Sequence, residues 1–173
     1  TMQGDWMATD GLCRNFTITA GQEQAQKFGN FQLFDITGTK YEDRNKDGDQ
    51  DAQEAGIQGW TVKLYKWIDG SYKYVSETVT DLNGWYKFMD LGPGSYKVVE
   101  ETRAGWEFVN PASGYHTFTA VSGADKDLDF GNISKAKIIV DKVTNPRYDS
   151  QSFQFKLIDQ SGVLQSFNLT DQA

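Results

Sequence analysis

The chain has 173 residues, enough for one or two domains with a buried core. With 17 basic and 24 acidic residues and a net charge of -7, it has no basic surface of the size that nucleic acid requires, so nucleic acid is not expected as a partner. Its one cysteine cannot form a disulfide within the chain, and no apolar run is long enough to span a membrane.

Short segments in which apolar and polar residues alternate follow one another through the middle of the chain. Val, Thr, Tyr, Phe and Trp are frequent in them, as is typical of β-strands. Turn signals separate the segments, including Asp69-Gly70, Asn83-Gly84 and Pro93-Gly94. The predicted strands are 34–43, 59–67, 72–81, 84–91, 94–102 and 115–122. Their spacing favours an all-β fold, arranged as a small antiparallel sandwich.

Two stretches of the sequence end alike. Residues 16–31 (FTITAGQEQAQKFGNF) and 118–133 (FTAVSGADKDLDFGNI) share an initial Phe-Thr, a glycine-containing turn and a final Phe-Gly-Asn. We therefore predict that 1–31 supply the last strands of one domain and that 32–133 form a complete domain. Residues 134–173 then supply the first strands of another domain.

Neither terminal segment is predicted to satisfy its own sheet edges or to bury its apolar face alone. Each should need a partner, which predicts a tandem or polymeric array in which the first strands of one copy are completed by the last strands of the next. The alternative is a segment taken arbitrarily from a longer repeat protein. The sequence alone leaves both interpretations open.

A twelve-residue acidic loop, DRNKDGDQDAQE at 43–54, has the oxygen spacing of an EF-hand calcium loop. Oxygen-bearing side chains occupy its first, third, fifth, seventh, ninth and twelfth places, and Gly48 occupies the sixth, where the chain must turn sharply. The predicted Ca²⁺ ligands are the side chains of Asp43, Asn45, Asp47 and Asp51, the main-chain carbonyl of Asp49 and both carboxylate oxygens of Glu54.

The residues on both sides of the acidic loop alternate with a strand's period, so the loop is not expected to join two helices as in a calcium sensor. A structural role is predicted for calcium instead of a sensing one. The alternative is an acidic loop that simply faces water.

Three quoted motifs carry a family resemblance: TGTKYEDRNKDGDQDAQEAGIQGWTV, TDLNGWYKFMDLGPGSYKVVEETRAGW and LDFGN. Together they resemble the B-type repeats of staphylococcal serine-aspartate adhesins and the wider group of collagen-adhesin-like B domains, over residues 36–132. Residues 135–173 resemble, more loosely, the prealbumin-like domains of bacterial pilins. The resemblance implies a Greek-key sandwich of the prealbumin or immunoglobulin type, a cell-surface or extracellular location, and a stalk or fibre role.

Strand phase places one polar side chain on the inward face of each of three predicted strands. Lys40 shares a face with Phe34 and Ile36, while Glu100 and Asn132 lie on the apolar faces of their own strands. Burial would lower the pKa of Lys40 and raise that of Glu100. A neutral Lys40 amine could then attack the Asn132 carboxamide.

Such self-catalysed isopeptide bonds are implied by the resemblance to collagen-adhesin-like B domains. The B-type repeats that match the acidic loop best generally rely on calcium instead. The alternative is therefore a lysine–glutamate pair with an asparagine at the strand end. The same phase argument places Lys142 and Asn30 inward, so Lys142 of one copy is a candidate to join Asn30 of the next in a covalent filament.

No pattern for an enzyme acting on an external substrate is found: His116 is the single histidine, and no metal-binding or nucleophilic arrangement surrounds it. The rival function is a carbohydrate-binding or adhesive module. Trp67 and Tyr65 lie out of phase with the inward row of their strand and are predicted to face solvent, where aromatic rings can stack on sugars. Self-association, other surface proteins and glycans are therefore the partners considered.

Overall fold

The computed structural model describes residues 4–11, 13, 15–140, 142, 151–159 and 162–170. They divide into two compact units, Thr1–Lys135 and Ala136–Ala173. Every regular element in these described ranges is a β-strand, which confirms the all-β prediction. The same ranges contain no helix with the length and apolar character needed to cross a bilayer.

Among the described residues, eleven strands belong to the first unit and two to the second. In the first unit they are β1 (Trp6–Ala8), β2 (Asn30–Gln32), β3 (Phe34–Glu42), β4 (Thr61–Ile68), β5 (Ser71–Val79), β6 (Trp85–Leu91), β7 (Ser95–Glu100), β8 (Trp106–Asn110), β9 (Tyr115–Thr119), β10 (Lys126–Asp127) and β11 (Phe130–Ser134). The second unit contains the hairpin β12 (Phe153–Asp159) and β13 (Gly162–Leu169).

Two sheets make up the sandwich of the first unit. One has the order β5-β4-β7-β9 and is antiparallel throughout. In the other, β3 is central: β6 pairs with one of its edges, and β10 and β11 pair with the other edge, followed by β8. Both β10 and β11 run parallel to β3, so this sheet is mixed rather than purely antiparallel as predicted. The first and last strands of the sandwich therefore lie side by side.

The core lies between the two sheets and follows the two-residue period of the strands. Along β3, buried and half-buried positions alternate from Phe34 to Lys40. The Phe34 ring packs edge-on against Tyr96 and Phe118. The buried cluster consists of Phe31, Phe34, Ile36, Val62, Leu64, Tyr86, Phe88, Tyr96, Val98 and Phe130. The inward faces that the sequence predicts for β3, β7 and β11 are confirmed.

The turn between β4 and β5 forms at Asp69-Gly70, as the sequence predicts. Asp69 and Gly70 both have positive φ, 50° and 81°, which are the backbone angles of a two-residue hairpin turn between β4 and β5. One strand, the five-residue β8, is not among the strands predicted from the sequence. Residues 135–140, part of a predicted opening strand, form no strand. A segment such as 135–140 needs a neighbouring strand to pair with before it can form a strand itself.

The N-terminal segment forms a small strand pair of its own and contributes one residue to the core of the sandwich. Strands β1 and β2 pair with each other, and Phe31 enters the core against Phe34. Residues 15–28 form no strand and expose Phe16 and Phe28. The corresponding residues of the repeated ending, Phe118 and Phe130, pack in the core. The predicted assignment of 1–31, 32–133 and 134–173 to three domains stays a prediction.

Candidate functional site

Lys40, Glu100 and Asn132 meet in the core of the sandwich, and we call them the crosslink triad. Lys40 comes from β3, Asn132 from the parallel neighbour β11, and Glu100 from β7 in the opposite sheet. Their exposed fractions are 0%, 2% and 0%, respectively. Three polar side chains far apart in sequence are thus brought into one solvent-excluded site, where each needs a polar partner.

The atoms of the triad are in direct contact. Nζ of Lys40 lies 3.3 Å from Oε2 of Glu100, and the Asn132 amide donates to the same oxygen at 2.8 Å. Lys40 also donates to the main-chain carbonyl of Phe130 at 2.9 Å. Among the described residues, Oε1 of Glu100 and Oδ1 of Asn132 have no hydrogen-bond partner. Two buried acceptor oxygens are therefore left without hydrogen bonds, whereas buried polar atoms with a purely structural role are normally hydrogen-bonded.

Register accounts for this meeting. In the parallel pair of β3 and β11, Phe130 lies opposite Lys40, so Asn132 is two residues further along the same inward face. In the other sheet, Glu100 lies opposite Val62, a fully buried position of β4, and its side chain therefore points into the core. The strand periods that carry the apolar residues inward carry the triad inward as well.

Burial shifts the pKa values of both titratable members toward their neutral forms. Desolvation lowers the pKa of Lys40 to about 8, although the negative charge of Glu100 opposes this shift. Desolvation likewise raises the pKa of Glu100 to about 7, against the effect of Lys40. The ring of Trp60, itself fully buried, lies 4.9 Å from Nζ of Lys40 and closes this side of the site to water.

The acidic loop is held together by its own carboxylates. Asp43 accepts hydrogen bonds from the main-chain N–H groups of Lys46 at 2.6 Å and Gly48 at 3.0 Å. Glu54 accepts from the main-chain N–H groups of Arg44 at 2.6 Å and Asp51 at 3.2 Å. Gly48 has φ of 89°, as the sharp turn at the sixth place requires. The loop connects β3 to β4 and is flanked by strands, as predicted.

Three predicted ligands converge within the loop. The side-chain amide nitrogen of Asn45 lies 2.8 Å from Oδ2 of Asp47 and 2.9 Å from Oδ2 of Asp51. Exchanging the amide oxygen and nitrogen of Asn45 would direct three oxygens toward one point. Asp49 donates its N–H to Asp47 at 3.0 Å. In the described part of the chain, no three His, Cys, Asp or Glu side chains are already arranged around a metal position. The oxygen donors themselves suit Ca²⁺.

Two residues near the loop were not predicted from the sequence. Tyr41 is buried, and its hydroxyl donates to the Gly48 carbonyl at 2.7 Å. The amide of Asn110, at the end of β8, donates to the same carbonyl. The sequence signal for Tyr41 is an aromatic residue two positions before the loop, on the strand face opposite Lys40. Asn110 carries no signal, because its contact with the loop arises only in the folded chain.

A profile of the SdrD B-like domain family matches residues 35–151, which include the triad and the acidic loop. The chain belongs to the SdrD B-like domain family. This membership confirms the resemblance to B-type repeats and the cell-surface, extracellular location that it implied.

Serine-aspartate repeat-containing protein C of Staphylococcus aureus strain N315 is 37% identical over 113 residues, which are 65% of this chain and 11% of that relative. Shaft pilin SpaA of Lactobacillus rhamnosus GG is similar at a TM-score of 0.46 and 15% identity, over 76% of this chain and 63% of the pilin. A minor pilin of Streptococcus agalactiae gives a TM-score of 0.40 at 14% identity, over 64% and 49%. The B-like domain is a structural domain of the cell surface, and this chain spans a small part of its curated relatives.

The second pair of predicted crosslink residues occupies different environments. Asn30 is exposed at the start of β2, where Phe31 is the residue that points into the B-like domain's core. In the second unit, Nζ of Lys142 lies 4.4 Å from the centre of the Phe153 ring, and it is buried without a hydrogen-bond partner among the described residues. Lys142 follows Lys40 by the same number of residues as Asn132 follows Asn30.

Aromatic rings cover part of the outer face of the β5-β4-β7-β9 sheet, as predicted for Trp67. Its side chain is 49% exposed and packs edge-on against Tyr72, with ring centres 4.9 Å apart. Tyr74 is 56% exposed and packs against Tyr65 at 5.9 Å. These rings lie on the side of the sheet opposite the crosslink triad.

Proposed function

We propose that this chain is a link in an extracellular stalk or fibre and that its B-like sandwich locks itself with an isopeptide bond between Lys40 and Asn132. The observation that carries the proposal is the solvent-excluded contact of both residues with Glu100. Burying a lysine beside a carboxyl group and a carboxamide costs free energy of folding, and such costly arrangements of titratable groups are concentrated at functional sites. A covalent bond between these groups removes the charge and consumes the amine.

The reaction balances within the triad. The neutral amine of Lys40 attacks the side-chain carbonyl carbon of Asn132, and the carbonyl oxygen takes up the displaced electron pair. Protonated Glu100 hydrogen-bonds to that oxygen and stabilises its developing charge. A proton then passes from the Lys40 nitrogen through Glu100 to the Asn132 amide nitrogen, which leaves as ammonia. The product is one amide bond, one ammonia molecule and a carboxylic acid restored to its starting state.

The reaction requires that Oδ1 of Asn132, rather than its amide nitrogen, face the carboxyl group of Glu100. The amide nitrogen, as assigned, contacts Glu100 at 2.8 Å, while Oδ1 has no partner among the described residues. Turning the amide over places Oδ1 against Glu100, where a protonated carboxyl group can donate to it. The raised pKa of Glu100 supplies that proton near neutral pH.

The bond would give the sandwich a continuous mechanical path. It joins the first long strand to the last one, which lie side by side and parallel. Closing a loop of roughly 90 residues stabilises the fold by about 4 to 5 kcal/mol in the chain-entropy estimate used for crosslinks. Tension applied to the two ends of the domain is then carried by covalent bonds rather than by the hydrogen bonds of the sheet.

Calcium is the second stabilising element of the proposal. The acidic loop places five carboxylates within twelve residues, and their mutual repulsion decreases when a divalent cation binds. Asp43, Asn45, Asp47, Asp51 and Glu54 would hold the ion through side-chain oxygens, together with the main-chain carbonyl of Asp49. The ion supplies rigidity at the end of β3 and takes no part in bond chemistry.

Head-to-tail assembly is the third element. The ending of 16–31 repeats that of 118–133, and Phe28 is exposed where its counterpart Phe130 is fully buried. Strands from another copy would cover the exposed phenylalanines of 16–31 and complete the sheets. Lys142, whose Nζ atom is buried without a hydrogen-bond partner in the described residues, would then reach Asn30 of the adjoining copy and form the same type of bond.

Intact-mass spectrometry tests the internal bond. The purified chain is expected to be lighter than its sequence mass by one ammonia molecule, and Lys40→Ala is expected to have its full sequence mass. Lys87→Ala is the matched control, because Lys87 is a partly exposed lysine paired with Asp35 outside the triad. A wild-type chain with its full sequence mass contradicts the bond.

Denaturing electrophoresis and electron microscopy test the assembly. Concentrated protein is expected to form filaments and a ladder of covalent multimers that Lys142→Ala abolishes. Lys135→Ala is the control, since Lys135 is an exposed lysine of the first unit. Monomers without a ladder at every concentration contradict covalent assembly through Lys142.

Glycan binding is the second candidate function, favoured by the exposed ring pairs around Trp67 and Tyr74. An aromatic face of this kind stacks on the apolar face of a sugar ring. Binding to a glycan array that Trp67→Ala abolishes, while circular dichroism remains unchanged, would favour it. Leu82→Ala is a suitable control, because Leu82 is an exposed apolar residue that belongs to neither ring pair.

A further inference from the structure

The acidic loop and the crosslink triad share a main-chain connection. The N–H of Asp43, the first residue of the loop, donates to the main-chain carbonyl of Asn132 at 2.9 Å. Asp43 comes three residues after Lys40, and Phe130 pairs with Lys40 in the adjoining strand. The hydrogen bond from Asp43 therefore fixes the position of β11 on β3 at the residue whose side chain would react.

Tyr41 provides a second connection. Its hydroxyl donates to the Gly48 carbonyl in the middle of the acidic loop, at 2.7 Å. Its ring packs on Gly131, where an added Cβ would come within 2.7 Å of the Tyr41 ring. One buried side chain thus extends from the strand position next to Lys40, across the residue next to Asn132, to the sixth place of the loop.

The other neighbour of β11 is tied to the loop as well. Asn110 of β8 lies opposite Gly131 in the sheet, and its side-chain amide donates to the Gly48 carbonyl. Strands β3 and β8, which flank β11 on its two edges, are therefore both hydrogen-bonded to one loop carbonyl. A change in the path of the loop at Gly48 would act on both sides of the strand that carries Asn132.

We infer that calcium binding to the acidic loop controls the rate of Lys40–Asn132 bond formation by holding β11 in register on β3. This inference rests on the proposed function. Without the cation, carboxylate repulsion favours a more open loop and weakens the links through Asp43 and Tyr41. A misplacement of about 1 Å between reacting groups slows a reaction by roughly a hundredfold. Once the bond exists, it holds the two strands together without the ion, so calcium is needed to make the crosslink but not to keep it.

Cell-free synthesis of the full chain tests the inference, with either calcium chloride or a calcium-selective chelator present throughout. Intact mass is followed over time, and ammonia loss is expected to be about tenfold or more faster with calcium. Removing calcium after the reaction should leave the mass unchanged. Equal, successful bond formation in both conditions overturns the inference and leaves the proposed crosslink intact. No ammonia loss in either condition overturns both.

A variant separates the connection from calcium binding itself. Tyr41→Phe keeps the buried ring and every predicted ligand, but removes the hydroxyl that reaches Gly48. Terbium luminescence is expected to report unchanged ion binding, while ammonia loss in calcium slows severalfold. Tyr115→Phe, which removes a hydroxyl from an exposed tyrosine outside the loop and the triad, should react at the wild-type rate. A wild-type rate in Tyr41→Phe overturns the role of Tyr41 as the link.

Discussion

In the sandwich core, Nζ of Lys40 lies 3.3 Å from Oε2 of Glu100, and neither side chain is reached by solvent. Taking two charges out of water costs free energy that their mutual attraction only partly offsets. Transfer of one proton from Lys40 to Glu100 removes both charges and leaves an amine beside a carboxylic acid. The state that relieves the desolvation cost is therefore the state that the crosslink reaction needs.

Replacing Glu100 with glutamine tests the proton carrier. Glu100→Gln preserves the shape of the side chain but cannot accept and return a proton, so we expect no ammonia loss in the intact mass. The free energy of unfolding in guanidinium should decrease by about 4 to 5 kcal/mol, the estimated contribution of the crosslink. Glu77→Gln, at an exposed position of β5, should retain the mass loss. A crosslinked Glu100→Gln variant would contradict the proposed role.

The pH dependence of bond formation follows from the two shifted pKa values, about 8 for Lys40 and about 7 for Glu100. Below about 7 both groups are protonated, and the ammonium cannot attack. Above about 8 the amine is neutral, but Glu100 is ionised and has no proton to donate. The single-proton state of the pair dominates between these values, so the rate should follow a bell-shaped curve with its maximum there.

Unreacted chain, collected in denaturant during cell-free synthesis, is diluted into calcium-containing buffers from acidic to alkaline pH, and ammonia loss is timed by mass. The rate should decrease by about tenfold per pH unit on either side of the maximum. A rate that rises steadily into the alkaline range would mean that the acid form of Glu100 is not required.

Strand period carried most of what the sequence predicted about the triad. Residues two apart in a strand point the same way, so Phe34 and Ile36 settle the direction of Lys40 without any knowledge of its neighbours. The same rule works for Glu100, which follows Tyr96 and Val98. It fails for Asn30, which is exposed, because in β2 the neighbouring Phe31 is the residue that points into the core.

Strand alternation could not predict which strands lie next to each other in a sheet. The parallel contact between β3 and β11 joins residues at opposite ends of the domain, and alternation within each strand contains no information about it. Asn110 likewise reaches Gly48 only because β8 lies beside β11. The strand β8 was not predicted because its residues, WEFVN, do not alternate: the apolar Phe108 and Val109 are adjacent.

Calcium binding should be measured in a crosslink-free background, since the covalent bond would mask a smaller contribution. In Lys40→Ala, calcium at about a hundredfold excess over its dissociation constant should raise the free energy of unfolding by about 2.7 kcal/mol. Adding Glu54→Gln should remove most of this gain, because the substitution replaces the two-oxygen ligand at the twelfth place. Thermal unfolding with calcium or chelator measures both effects.

The control for the calcium experiment is Asp69→Asn in the same background. It removes one acidic group from a hairpin turn outside the loop, and asparagine accepts the positive φ of 50° found there. Its calcium response should equal that of Lys40→Ala alone. Equal responses in the Glu54→Gln double variant as well would show that calcium acts elsewhere.

Gly38 sets how closely the last strands approach β3. It lies on the inward face of β3 between Ile36 and Lys40, and a Cβ added there would come 2.1 Å from the main-chain oxygen of Leu128. Because that obstacle is backbone, Gly38→Ala must push the segment leading into β11 away from β3. We expect a loss of about 1 to 3 kcal/mol in the free energy of unfolding and a slower ammonia loss.

Gly92→Ala is the matched control, since its added Cβ would meet only the flexible end of Met7. The change in its free energy of unfolding should stay within about 0.5 kcal/mol, and its crosslink should form at the wild-type rate. Guanidinium unfolding and timed mass spectrometry compare the two variants directly. A wild-type reaction rate in Gly38→Ala would contradict this prediction. It would mean that the main chain can move at Leu128 while Lys40 and Asn132 keep their positions.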